Sequence, residues 1–96
     1  MNLCPKLKPE KVLFMKIENQ NISKLEDYAL NEFVKLQQLD LSNNKITKLS
    51  DNSFDGLKNL EMLELDGNNI SVIEEGTFDK SISLKNINLK NNPVLR

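Results

Sequence analysis

The sequence repeats itself every 24 residues, and few folds accommodate that period. Leu36, Leu60 and Leu84 fall in one register, as do Leu39, Leu63 and Ile87, and Leu41, Leu65 and Leu89. Asn44, Asn68 and Asn92 follow three residues later, then Ile46, Ile70 and Val94. Two copies continue, with Leu49 matching Ile73 and Phe54 matching Phe78. One step further back lies a weaker copy, Val12, Met15, Ile17, Ile22, Leu25 and Leu30, with Gln20 in the Asn slot. The expected organisation is an N-terminal arm or partial cap over 1–11 and an array over 12–96, cut as 12–35, 36–59, 60–83 and a partial 84–96.

Each copy has two parts. In Leu60-Glu61-Met62-Leu63-Glu64-Leu65 the apolar residues 63 and 65 alternate with polar neighbours, the period of a half-buried strand. The rest of each copy is polar, with sparse apolar anchors and Gly, Asp and Ser, and reads as a turn plus an irregular or 3₁₀ return path. A strand of ~5 residues cannot hide its apolar side alone. Copies stacked side by side give a parallel sheet over a continuous core, which is the logic of a solenoid.

Composition sharpens this through one residue type. Asn occurs 14 times and Leu 16 times in 96 residues. Asn disfavours both helix and strand interiors, so it must serve turns or an ordered hydrogen-bond array. The chain has to turn sharply after each strand, leaving backbone N–H and C=O groups facing inward, and buried groups of that kind need partners. An Asn amide offers two donors and an acceptor on a short stem. Asn44, Asn68 and Asn92 are therefore expected to stack as a buried ladder against the backbone of adjacent coils. Gln20, one methylene longer, predicts a looser first coil.

The run L-x-x-L-x-L-x-x-N-x-I, at Leu36 to Ile46 and again at Leu60 to Ile70, resembles the leucine-rich repeat family. The Phe54-x-x-Leu57 segment and the 24-residue spacing resemble its typical, extracellular subclass, as in Toll-like receptor and insect immune ectodomains. The resemblance covers residues 12–96. It implies an α/β-type solenoid wound as a right-handed coil of about four repeats, with a short parallel β-sheet on the concave side and turns, 3₁₀ or irregular chain on the convex side. Two departures stand out. Gln20 replaces Asn, and Ser81 replaces the apolar residue found at Leu57 and Phe33. Neither of the Cys-paired end caps that secreted members usually carry is visible, so the chain reads as a slice of a longer array or a small capless variant.

On a concave sheet the residues between the apolar slots point outward. One column reads Lys16, Asp40, Glu64, Asn88; the next Glu18, Ser42, Asp66, Lys90; an outer one Phe14, Gln38, Met62, Asn86. The third copy is acidic, with Glu61, Glu64 and Asp66, and the fourth basic, with Lys85 and Lys90. These columns are the expected docking surface for a protein partner, with a glycan or lipid pattern as the weaker alternative, and Phe14 and Met62 as apolar anchors. The resemblance implies a non-enzymatic recognition module in innate immunity or cell-surface adhesion. An intracellular scaffold and a structural spacer within a longer horseshoe are the rival expectations.

Other signals narrow the classes. Thirteen Lys+Arg against 14 Asp+Glu leave a net charge of −1, which gives no general attraction to nucleic acid or an anionic membrane, so nucleic acid is expected to be excluded as a partner and this segment is expected to make no membrane contact. There is no His, and the lone Cys4 cannot close an internal disulfide. No phosphate-cradling glycine loop and no Cys/His zinc set occur, so neither a cofactor nor a catalytic group is expected. Asp51, Asn52 and Asp55 lack EF-hand spacing for calcium. Asn21-Ile22-Ser23 and Asn69-Ile70-Ser71 are glycosylation sequons at the same repeat position. Use of Asn21 and Asn69 needs a secretory route, whereas Met1 to Pro9 holds no apolar h-region, which leaves a cytoplasmic location open beside an extracellular one. Leu3 and Leu7 are expected to cover the first coil, while the apolar Val94 and Leu95 suggest self-association through an uncapped end.

Overall fold

The computed structural model of the protein describes residues 8–95; the expectations for Cys4, Leu3 and Leu7 lie outside that range. Its principal sheet is a ladder of short strands, each opening one coil. A 3₁₀ turn, Pro9–Lys11, leads into β1 (Phe14–Lys16). Then come β2 (Gln38–Asp40), β3 (Lys48–Leu49), β4 (Met62–Glu64), β5 (Val72–Ile73) and β6 (Asn86–Asn88), and a second 3₁₀ turn, Pro93–Leu95. The four opening strands pair in parallel in the order β1-β2-β4-β6. Their register equals the sequence period: Met15, Leu39, Leu63 and Ile87 lie side by side. Backbone pairing runs past the strands, since the N–H of Ile17, Leu41 and Leu65 donates to Asp40, Glu64 and Asn88 at 2.7, 2.8 and 2.8 Å.

The core is the set of repeated aliphatic slots. Leu36, Leu39, Leu41, Ile46, Leu49, Leu57, Leu60, Leu63, Leu65 and Ile70 are all buried. Leu30, Phe54 and Phe78 occupy one slot on the return side, and the Phe54 and Phe78 rings stack at 5.7 Å with 14° between planes. The geometry is that of an offset aromatic pair, which ties the two coils beyond simple area burial.

The return path is more ordered than its sequence suggests. Each coil carries two consecutive i→i+3 bonds of 3₁₀ type: Phe33 and Leu36 N–H to Leu30 and Phe33, Leu57 and Leu60 to Phe54 and Leu57, Ser81 and Leu84 to Phe78 and Ser81. A second, two-stranded parallel sheet pairs β3 with β5. A two-residue strand carries no measurable period, so the repeat pattern gives no sign of that pairing. At Gly56 the coil presses against its predecessor: φ is +91°, and an added Cβ would stand 2.7 Å from the Asn31 backbone.

The Asn surplus divides into two columns. Asn44, Asn68 and Asn92 are buried. Their immediate predecessors Asn43, Gly67 and Asn91, with Asn19 in the first coil, all have positive φ, at 56, 72, 61 and 58°. Asn and Gly tolerate that left-handed conformation best, so each strand ends on a residue able to reverse the chain, followed by one able to satisfy it.

Candidate functional site

The ladder sets the rigidity of the site. Asn44 Nδ2 donates to the carbonyls of Ile17 and Leu41 at 2.8 and 2.9 Å, while its Oδ1 accepts from the N–H of Gln20 and Ile22 at 2.9 and 3.1 Å. Asn68 Nδ2 repeats this one coil later to Leu41 and Leu65, both at 3.0 Å, and its Oδ1 takes the Ile46 N–H at 3.1 Å. Asn92 Nδ2 bonds Leu65 and Leu89 at 2.9 and 3.1 Å, and its Oδ1 takes the Ile70 N–H at 2.9 Å. Every amide thus clamps its own coil to the preceding one. Gln20 is exposed and its Nε2 turns to the Glu18 carbonyl at 3.1 Å, so the first coil has no such clamp of its own.

On the open side of the sheet, the strands place Phe14, Gln38, Met62 and Asn86 in one row and Lys16, Asp40, Glu64 and Asn88 in the next. Phe14 is 60% exposed and Gln38 and Asn86 are exposed, while Met62 is half-buried. A groove of about 450 Å³ lies over β1, β2 and β4, lined by Phe14, Lys16, Gln38, Asp40, Met62 and Glu64 together with the edges of Met15 and Leu39.

The second row is held by side-chain bonds. Asp40 Oδ1 accepts from the Ser42 N–H at 2.9 Å and the Ser42 hydroxyl at 2.6 Å. Glu64 Oε2 accepts from Asn88 Nδ2 at 2.9 Å, and Asn88 Oδ1 in turn caps the Lys90 N–H at 3.1 Å. Lys16 Nζ pairs with Glu18 at 3.2 Å. Asp66 is half-buried and Lys90 exposed. Ser42 departs from the expected display role: it is 6% exposed and its hydroxyl is committed to Asp40, so it shapes the turn rather than facing a partner. The acidic third coil is partly neutralised, because Lys85 reaches Glu61 at 3.8 Å.

The return side holds a different set of charges. Lys48 pairs with Glu74 at 2.9 Å across β3 and β5. The hydrogen bond between them, ahead of their Coulomb attraction, holds the Lys48 ammonium above its ordinary value, and the same bond holds the Glu74 carboxyl below its own. Asp55 is taken by Lys80 at 2.8 Å, and Lys80 also meets Asn52 Oδ1 at 3.5 Å. A lysine ammonium therefore sits against Asn52 and Asp55, where a cation would have to bind. Among the described residues, no group of three or more His, Cys, Asp or Glu gathers as metal ligands, and no helix is long and apolar enough to cross a membrane. Asn21 and Asn69 are exposed, as are Ser23 and Ser71 of their sequons.

Stacked parallel strands, amide-clamped bends and an open sheet face define a solenoid of short coils. A family profile described as Leucine rich repeat matches residues 15–70. The chain belongs to that family. Among solved structures, the crystal structure of the TLR13–ssRNA13 complex superposes with a TM-score of 0.80 at 28% identity, covering 83% of this chain and 11% of that one. The Toll–Spatzle complex, from Drosophila development and innate immunity, superposes with a TM-score of 0.82 at 26% identity, covering 84% and 11%. The chain thus spans about a tenth of the length of either structure. No curated protein matches the sequence. The expectation that nucleic acid is excluded finds no support in these neighbours, since one of them is a complex with single-stranded RNA.

Proposed function

We propose that this chain, as a four-coil array over 12–96, is a non-enzymatic recognition module whose partner is a protein held on the concave sheet face. The observation that carries this reading is the contrast between two rows of one sheet. Met15, Leu39 and Leu63 hold the fold, whereas Phe14, Lys16, Asp40, Glu64 and Met62 differ from coil to coil and line an open groove. A rigid array presents such side chains at strand spacings of ~4.8 Å without ordering cost on binding. The backbone is preorganised by the amide clamps at Asn44, Asn68 and Asn92. Glu18, Gln38, Asp66, Asn86, Asn88 and Lys90 complete the face.

The Toll and TLR13 neighbours support an innate-immune, extracellular or cell-surface setting, with Asn21 and Asn69 as glycan acceptors on the flank of the coil. The test is affinity capture from extracellular fluid of the source organism. Wild type is compared with a Glu64→Lys/Asp66→Lys variant and with a return-side control, Lys58→Glu. Proteins retained by wild type and control but lost with the concave variant are the expected result. Equal retention by all three would overturn the reading.

A further inference from the structure

The concave groove has an apolar lane beside a charged one, and the charges do not cancel. Phe14 and Met62 are two strand spacings apart in register, ~10 Å, with Gln38 between them. One step along the strands, Lys16 is already paired with Glu18. Asp40, Glu64 and Asp66 remain: among the described residues none of the three has a cation within ion-pair distance. The hydrogen bonds that Asp40 and Glu64 accept come from neutral groups, Ser42 and Asn88, which fix the carboxylates in place without discharging them. Asp40 and Glu64 lie one strand spacing apart, ~5 Å, a separation a single guanidinium can bridge. Asp66 follows Glu64 by two residues, just past the end of β4; it is half-buried and lies outside the residues that line the groove.

We infer that the partner segment seated in this groove is a basic, amphipathic peptide stretch of a protein, one large apolar side chain over Gln38 between Phe14 and Met62, with Arg or Lys against Asp40 and Glu64 and the charge of Asp66 adding to theirs from just beyond the groove. The inference rests on the concave-face reading above and names the chemistry of the partner. Charge complementarity chooses this occupant. A nucleic-acid backbone would bring phosphates against three unneutralised carboxylates, and like charges across an interface count against binding. A second copy of this face would meet the same repulsion.

The experiment uses the full chain and four fluorescent probes: a short peptide of arginine, leucine and serine; the same peptide with Arg→Ser; the same with Arg→Glu; and a single-stranded RNA oligonucleotide. Anisotropy titrations at low and high salt are run on wild type, on Asp40→Asn/Glu64→Gln/Asp66→Asn, and on Phe14→Ser/Met62→Ser. The neutral isosteres keep the hydrogen-bond acceptors that Ser42 and Asn88 use, and circular dichroism checks the fold of each. The expected result is binding of the arginine peptide alone, weakened about tenfold by removing the three charges and further by high salt. The apolar double variant loses affinity without losing the salt dependence. Binding of the acidic peptide or the RNA as tight as that of the arginine peptide, affinity unchanged in the neutral variant, or no peptide binding at all would overturn the inference. Sedimentation that shows self-association abolished by the same neutral variant would overturn it too. If the peptides fail while captured proteins still depend on Glu64 and Asp66, only the partner chemistry is wrong and the concave-face reading stands.

Discussion

Leu63 and Ile87 fill the same slot of successive coils, yet Leu63 is fully buried and Ile87 is 40% exposed. The pattern is general. In the two middle coils Leu36, Leu39, Leu41, Leu60, Leu63 and Leu65 are all buried, while their counterparts Val12, Met15, Ile17, Leu84 and Leu89 are half-buried. The residue types barely differ. What differs, among the described residues, is the number of flanking coils: a middle coil is covered on both sides and an outer one on a single side. In a solenoid, burial belongs to the neighbour rather than to the residue, so stability is close to a sum of nearest-neighbour terms.

The sharpest way to break this comparison is to cut the same slot in both regions. Leu63→Ala opens a cavity between two covered faces and is expected to cost about 3–5 kcal/mol. Ile87→Ala removes a side chain already part-solvated and is expected to cost roughly 1 kcal/mol. Urea unfolding of both variants gives the difference. Equal losses would mean that the coils unfold as one block whose ends matter as much as its middle.

The ladder repeats the contrast with hydrogen bonds. Asn68→Ala orphans the buried N–H of Ile46 and takes one of two donors from each of the carbonyls of Leu41 and Leu65, which keep Asn44 and Asn92, at about 1–3 kcal/mol. Gln20→Ala removes only a solvent-exposed bond to Glu18 and should stay within about 0.5 kcal/mol. Hydrogen exchange adds a local readout: protection at Ile46 is expected to fall in the first variant and to stay unchanged in the second. A loss at Gln20 comparable with that at Asn68 would contradict the view that the first coil is clamped only by Asn44.

The sequence carried the inner half of this architecture and little of the outer. Leu39, Leu63 and Asn68 are legible because burial imposes one shape and one hydrogen-bond need on every coil, so the same letter returns at each period. The strands' exposed alternates obey no such need, so periodicity locates Lys16, Asp40 and Glu64 without saying how they are bonded. The Asp40–Ser42 and Glu64–Asn88 links are side-chain contacts, one two residues apart and one between coils. Their cue is weak: an acceptor two residues before a serine, and an amide 24 residues after a carboxylate. Ser42 was misplaced as a displayed residue for that reason. Ser81 shows the converse. Its departure from Leu57 and Phe33 is plain in the alignment of copies, and the structure makes it a buried hydroxyl with no hydrogen-bond partner. The β3–β5 pairing was missed because Lys48–Leu49 and Val72–Ile73 are too short to show a period.

The smallest expected effect concerns an ion pair that joins the two middle coils beside that minor sheet, Lys48 with Glu74. In the folded chain the Glu74 carboxyl lies below its ordinary value of 4.5, chiefly because it accepts the Lys48 hydrogen bond and also that of the Asp51 N–H. Lys48 lies above its ordinary 10.5 for the reciprocal reason. A depressed acid contributes stability that is present above its unfolded value and lost as the pH falls through the folded one; a raised base loses its share as the pH climbs through its own. The pair therefore works at neutral pH and fails at both extremes. Both side chains face solvent, at 55% and 38% exposure, so salt screens them and the gain is slight. Melting curves of wild type and Glu74→Gln should differ a little at pH 7 in low salt, and converge both at pH 3 and in high salt. A gap that survives acid would mean that Glu74 matters through the uncharged Asp51 contact instead, and that the minor sheet is tied by backbone bonds such as Glu74 N–H to Leu49 O at 2.9 Å rather than by charge.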